Sequence, residues 1–92
     1  MSYVDEANRE KATEISREVV EELVYACRKF PKFNSAHEGY AVILEELDEL
    51  WYEIKGHNPI RHEQKEAMRE EVIQVAAMAI RFVMDVSNRI ER

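Results

Sequence analysis

Val72-Ile-Gln-Val-Ala-Ala-Met-Ala-Ile-Arg-Phe-Val-Met84 decides the fold, because its thirteen positions hold only two polar side chains, Gln74 and Arg81. No Gly or Pro follows Pro59, so the stretch sits inside one long helix-permissive run. It is too short for the roughly 18 to 20 apolar residues that cross a bilayer. A soluble helix apolar on nearly every side is buried on most of them. The polar residues on and around it are not scattered. At about 100° per residue, Glu71, Gln74, Arg81, Asp85 and Asn88 share one sector roughly 100° wide. Such a seam needs partners, since a buried polar group left unpaired costs on the order of 1 to 3 kcal/mol.

Breakers at Pro31 to Ser35 and Gly56 to Pro59 divide the chain into three helix candidates. The first, about Val4 to Phe30, carries Ala12, Ile15, Val19, Leu23, Ala26 and Phe30 at spacings of three and four, one apolar stripe. The second opens on Ser35-Ala-His-Glu38, a capping box in which Ser35 accepts from an orphan amide and Glu38 reaches back. It runs to about Lys55 along Ile43, Leu47, Leu50 and Ile54, flanked by Tyr40, Leu44 and Trp51, with Gly56 as its C-terminal cap. The third starts near Asn58-Pro59, with Asn as cap and Pro in the first turn, and continues toward the C-terminus. The fold class is all-α, an antiparallel bundle of three main helices.

Ninety-two residues make one domain, 1–92, and three helices cannot cover every face of an apolar central member. A second copy is expected to supply the cover, giving a homo-oligomer, dimer or tetramer. With 13 Lys+Arg against 19 Asp+Glu, the net charge of −6 disfavours binding to nucleic acid or to an anionic membrane. Cys27 is the only cysteine, which excludes an intramolecular disulfide and a Cys-based zinc site. An acidic N-terminal segment is unlike a signal peptide, so a cytoplasmic protein is expected.

The strongest chemical signal is Glu45-Glu46-Leu-Asp48-Glu49 on the second helix against Glu70-Glu71-Val-Ile-Gln74 on the third. Glu46 and Glu49 are three apart and project from one helix face, and Glu71 and Gln74 repeat that geometry. Across two antiparallel helices the pairs meet, and three carboxylates with one amide oxygen make half of an octahedral shell for Mg²⁺. A solvated acidic face is the plain alternative. Position weighs against it: Glu46 borders an apolar stripe, and Glu71 lies on an otherwise apolar helix, where like charges without a cation are costly.

This arrangement resembles the MazG-like all-α nucleoside triphosphate pyrophosphohydrolases. Their motif is Glu-x-x-Glu, then a spacer, then Glu-x-x-Asp; here Glu46-Leu-Asp-Glu49 and, after 21 residues, Glu71-Val-Ile-Gln74 match it with the last acid replaced. The run from Ser35 to Trp51 is also similar to small MazG-like proteins of phages and bacteria, and the likeness covers about residues 15 to 86. It implies Mg²⁺, or Mn²⁺, held by Glu46, Glu49 and Glu71 with Gln74 beside them, and hydrolysis of a nucleoside triphosphate to monophosphate and pyrophosphate in nucleotide-pool house-cleaning. Glu45 or Glu38 would take the proton of the attacking water. Larger relatives continue past the third helix with phosphate-binding Lys and Asn; Arg81, Asn88, Arg89 or a partner's Lys55 are the substitutes here. Gln74 brings an oxygen without charge, so the alternative is a degenerate member that binds nucleotide or a protein partner without hydrolysis. A structural oligomer whose acids only solubilise it is the third possibility.

The remaining residues read as structural. His37 serves the cap region, and His57 and His62 have no zinc spacing. Trp51 packs at the core edge while Tyr52 is free to stack on a base; Met68, Met78 and Met84 fill the core, and Cys27 is an inert buried thiol.

Overall fold

A computed structural model describes residues 2–88, which form three helices and no strand: α1 Tyr3–Lys29, α2 Ala36–Ile54 and α3 His62–Val86. The all-α class and the three elements agree with the sequence reading. α1 begins at a box the reading overlooked: the Ser2 hydroxyl accepts from the Asp5 amide at 3.2 Å and the Asp5 carboxylate accepts from the Ser2 amide at 3.3 Å. At α2 the Ser35 hydroxyl accepts from the Glu38 amide at 3.1 Å. Glu38 does not close the box on Ser35. Its carboxylate reaches one residue further and accepts from the Asn34 amide and side-chain Nδ2, each at 3.2 Å. Gly56, at φ 80°, ends α2 in the left-handed region that a residue with a Cβ rarely adopts.

α3 starts later than expected. Pro59 stands outside the first turn, after a cis bond to Asn58, and the helix begins at His62 with Arg61 as its cap. Gln64 supplies the missing acceptor, its Oε1 taking the Arg61 amide at 3.2 Å. The helix ends at Val86, and Ser87 caps it with its amide on the Val83 carbonyl.

α3 is the central element, with α1 and α2 packed on it and not on each other. Val19, Leu23 and Ala26 of α1, Phe33 of the connection, and Ala77 and Met78 of α3 form the core, joined by Val42, Ile43, Ile73, Ala76, Phe82 and Val86. Gly39 is what lets α2 approach. A Cβ there would stand 2.5 Å from Phe82 Cδ2 and 3.1 Å from Phe33 Cδ2, so the Phe82 ring occupies the space a side chain would need. Gly39→Ala is therefore expected to destabilise the fold by about 1–3 kcal/mol despite alanine's better helix propensity. A Gly39→Ala protein melting at or above wild type would show that Phe82 moves aside freely.

The molecule is a flat layer of helices, 43 × 39 × 20 Å, with a radius of gyration of 15.4 Å against about 12 Å for a compact domain of this length. The flatness corrects several expectations. Ala12, Ile15 and Phe30 extend the α1 stripe but are exposed; only Val19, Leu23 and Ala26 of it are buried. α3 is not covered on most sides: Val72, Ile80, Val83 and Met84 are exposed, Met68 is half-buried, and Ala77, Met78 and Arg81 are the buried positions. Trp51 is exposed rather than at the core edge, Leu47 is exposed and Leu50 half-buried, and the Cys27 thiol lies on the surface. No described helix is long and apolar enough to cross a membrane.

Candidate metal centre

Glu46 lies on the α2 face that carries Gly39, Ile43 and Leu50, the side turned to α3. Glu49 follows one turn later, and Glu71 projects from α3 about four turns before its end. Carboxylate oxygens of these three residues all lie within 4.8 Å of one another. Glu46 and Glu71 are half-buried and Glu49 is exposed, so the cluster opens to solvent on one side. One oxygen of Glu46 and one of Glu71, Oε2 in each, are shut off from solvent without a hydrogen-bond partner. A buried acceptor in that state is under-satisfied.

Electrostatics follow from the geometry. Burial first, and then the charges of Glu49, Glu71 and Glu45, push the Glu46 carboxyl up to about 7. Burial and a shared hydrogen bond with Glu49 likewise raise Glu71, with the charges of Glu49, Glu53 and Glu70 adding to it. The charges acting on both groups are negative. A divalent cation would offset the mutual repulsion of these carboxylates, and hard carboxylate oxygens are the donors Mg²⁺ and Mn²⁺ take. The two orphaned oxygens are the observation that fits such an ion. Glu18, in contrast, is held below the usual carboxylate range by the Arg69 guanidinium that binds both its oxygens, at 2.8 and 2.5 Å, on the exposed α1–α3 flank.

The other expected site residues divide. Glu38, Glu45 and Gln74 line one cleft with Glu46, of roughly 490 Å³, floored by Ala26, Phe33, Val42 and Met78. Glu22 of α1 completes its acidic rim and was not singled out from sequence. Lys55 caps α2 at the opposite end from this cleft, its Nζ 5.7 Å from the centre of the Tyr52 ring. Asn88 is exposed past the end of α3, and Arg89 falls outside the described residues.

Arg81 has a different occupation from the phosphate contact expected of it. It is 3% exposed and donates from Nη1 to the Ala26 carbonyl at 3.3 Å, and from Nη2 to the Phe30 and Pro31 carbonyls at 2.7 and 2.8 Å. Its Nε donates to Asp85 Oδ2 at 3.3 Å, and the same oxygen accepts from the Phe33 amide at 3.1 Å. The guanidinium also stands 5.2 Å from the centre of the Phe33 ring. Four of its five N–H donors are thereby used to tie the end of α1 and the connection to α3. Asp85 is the partner that the predicted polar sector held ready; the three carbonyls had no sequence signal. Searches against protein-family models, curated proteins and solved structures find no match to the chain.

Proposed function

We propose that the protein is a metal-dependent nucleoside triphosphate pyrophosphohydrolase of the MazG-like type, releasing pyrophosphate and a monophosphate. The convergence of Glu46, Glu49 and Glu71, with two buried oxygens left without partners, carries this reading. Those three carboxylates would hold Mg²⁺ or Mn²⁺, which supplies positive charge against the phosphoryl oxygens and acidifies water. Glu45 and Glu38, on the rim of the adjoining cleft, are the groups available to accept the proton of a water entering there. The apolar floor and acidic rim of the cleft suit a base and its donor groups. The reading takes α2 and α3 as an antiparallel pair, in keeping with Gly39 meeting Phe82 while Glu46 meets Glu71. It also takes the working unit to be an oligomer and the cytoplasm to be its place of action.

A second reading, nucleotide binding without turnover, is favoured by two observations: Gln74 stands where the family motif has an acid, and Arg81 is engaged by the protein itself. One experiment separates the two. The purified chain with Mg²⁺ or Mn²⁺ is incubated with a panel of ribo- and deoxynucleoside triphosphates, and pyrophosphate is measured for wild type and Gln74→Asp. Hydrolysis by wild type supports the first reading; hydrolysis only by Gln74→Asp supports the second. Absence of both turnover and metal binding in either protein would sink the two together.

A further inference from the structure

Residues that line the acidic cleft define the inner side of each helix: Gln74 and Arg81 on α3, Glu38 and Glu45 on α2, Glu22 on α1. At about 100° per residue, the opposite side of α3 carries Val72, Ala79 and Val83, all exposed, with Ala76, half-buried and touching the core at its edge, completing spacings of four, three and four. On α2 the side away from the cleft carries Tyr40, Leu44, Leu47 and Trp51 at the same spacings, exposed by 64%, 41%, 42% and 58%. On α1 it carries Val20 and Val24, also exposed. All three helices thus turn an apolar ribbon to one face of a layer 20 Å thick, and the α2 and α3 ribbons have the four–three spacing by which helices interlock. The layer extends 43 Å by 39 Å, more than the roughly 800 Å² per partner of a standard interface requires.

Charge decides the occupant and its orientation. Of the six acids between Phe33 and Ile54, Glu38, Glu45, Glu46, Glu49 and Glu53 lie toward the cleft and the glutamate cluster, and Asp48 borders the outer ribbon; the stretch has no Lys or Arg. On α1, Arg17 and Arg28 flank Val20 and Val24 in a sector about 80° wide that contains no acid between Thr13 and Arg28. A two-fold axis running along α3 lays α2 of each copy over α1 of the other, acid on base. An axis across α3 would stack α2 on α2, which carries no Arg for Asp48 to meet. The first arrangement also keeps heights along α3. Arg17 neighbours Glu18, which holds Arg69, and Asp48 neighbours Glu49, which meets Glu71, so both sit at nearly one level of the layer. We infer that a second copy of the chain docks on this outer face, α3 over α3, with Arg17 of each copy against Asp48 of the other. The contact rests on the oligomeric reading above and gives it a surface; it leaves the metal cluster on the inner side untouched.

Sedimentation equilibrium tests it, with circular dichroism monitoring helix content. The wild-type chain is expected at twice 10.9 kDa. Val83→Glu, at the centre of the outer ribbon, is expected to weaken association by at least about 100-fold, as for loss of a buried interface anchor. Arg17→Glu and Asp48→Lys are each expected to weaken it, and the double variant to restore it. A monomeric wild type, or an oligomer indifferent to Val83→Glu, overturns the interface; single charge reversals that the double variant fails to repair overturn the α2-on-α1 arrangement. Metal binding by a monomerised variant, measured calorimetrically, separates failure of this contact from failure of the proposed function.

Discussion

Arg81→Met is expected to lower the free energy of unfolding by about 3–5 kcal/mol, the cost of removing one member of a buried pair and stranding the other. The variant removes four hydrogen bonds at once and leaves Asp85, whose side chain is 6% exposed, holding the Phe33 amide without the guanidinium. Against a total stability of roughly 5–15 kcal/mol for a domain, that loss brings a chain of this size near its unfolding threshold. Met matches the apolar reach of the side chain, so the loss reports the polar contacts rather than a cavity. Arg81→Lys should recover less than half of it, because one ammonium cannot fork to three carbonyls and a carboxylate together. Urea denaturation followed by circular dichroism measures both. Wild-type stability in Arg81→Met would show the clamp to be dispensable and would free this residue for the phosphate role first expected of it.

Substitution in the glutamate cluster is expected to act in opposite directions on stability and on binding. Without metal, the raised Glu46 carboxyl makes the folded chain hold a proton that the unfolded chain releases at its ordinary value of about 4.5. That contribution is whole below pH 4.5 and is lost as pH rises toward 7, so the metal-free protein should weaken across this interval. Glu46→Gln removes the titration, and its stability above pH 7 should exceed wild type. Under the proposed function the same change removes a metal ligand. For Glu46→Gln, and for Glu49→Gln on the exposed side, Mg²⁺ affinity should fall by at least the roughly 10- to 100-fold that even outer-shell changes cost at metal sites, and pyrophosphate release should fall with it. Calorimetric titration and denaturation over pH 4 to 8 provide the two readouts. A Glu46→Gln protein that is no more stable and binds Mg²⁺ as wild type does would reduce the cluster to a surface feature.

The fold class, the three helices and the Ser35 and Gly56 ends of α2 were legible because each depends on local spacing, and the three carboxylates because their spacing within α2 needs only the packing of the next helix to bring Glu71 to them. What failed depended on the path of the chain. Asn58-Pro59 has the composition of a helix start, yet the helix begins where Gln64 can reach the Arg61 amide, and Arg61 itself carries no capping signal. α2 has apolar residues on two faces, and periodicity alone does not choose between them. Gly39 does, since only the face without a side chain at that level admits Phe82, and this turns Trp51 and Leu47 outward. Arg81 was visible as a polar residue in an apolar helix, but its acceptors at Ala26, Phe30 and Pro31 lie 50 to 55 residues earlier in the chain.

α1 is one uninterrupted helix of 27 residues, and its buried positions, Val19, Leu23 and Ala26, all lie in its second half. Its core contacts begin at Val19, with the Glu18–Arg69 pair just ahead of them, while a capping box holds the far end at Ser2. In the single chain, the first four turns are therefore kept by hydrogen bonds and propensity alone, close to the length at which an isolated helix is marginal in water. They can open and reclose on the microsecond scale of a peptide without disturbing a single core contact, whereas the turns beyond Val19 open only when the bundle does.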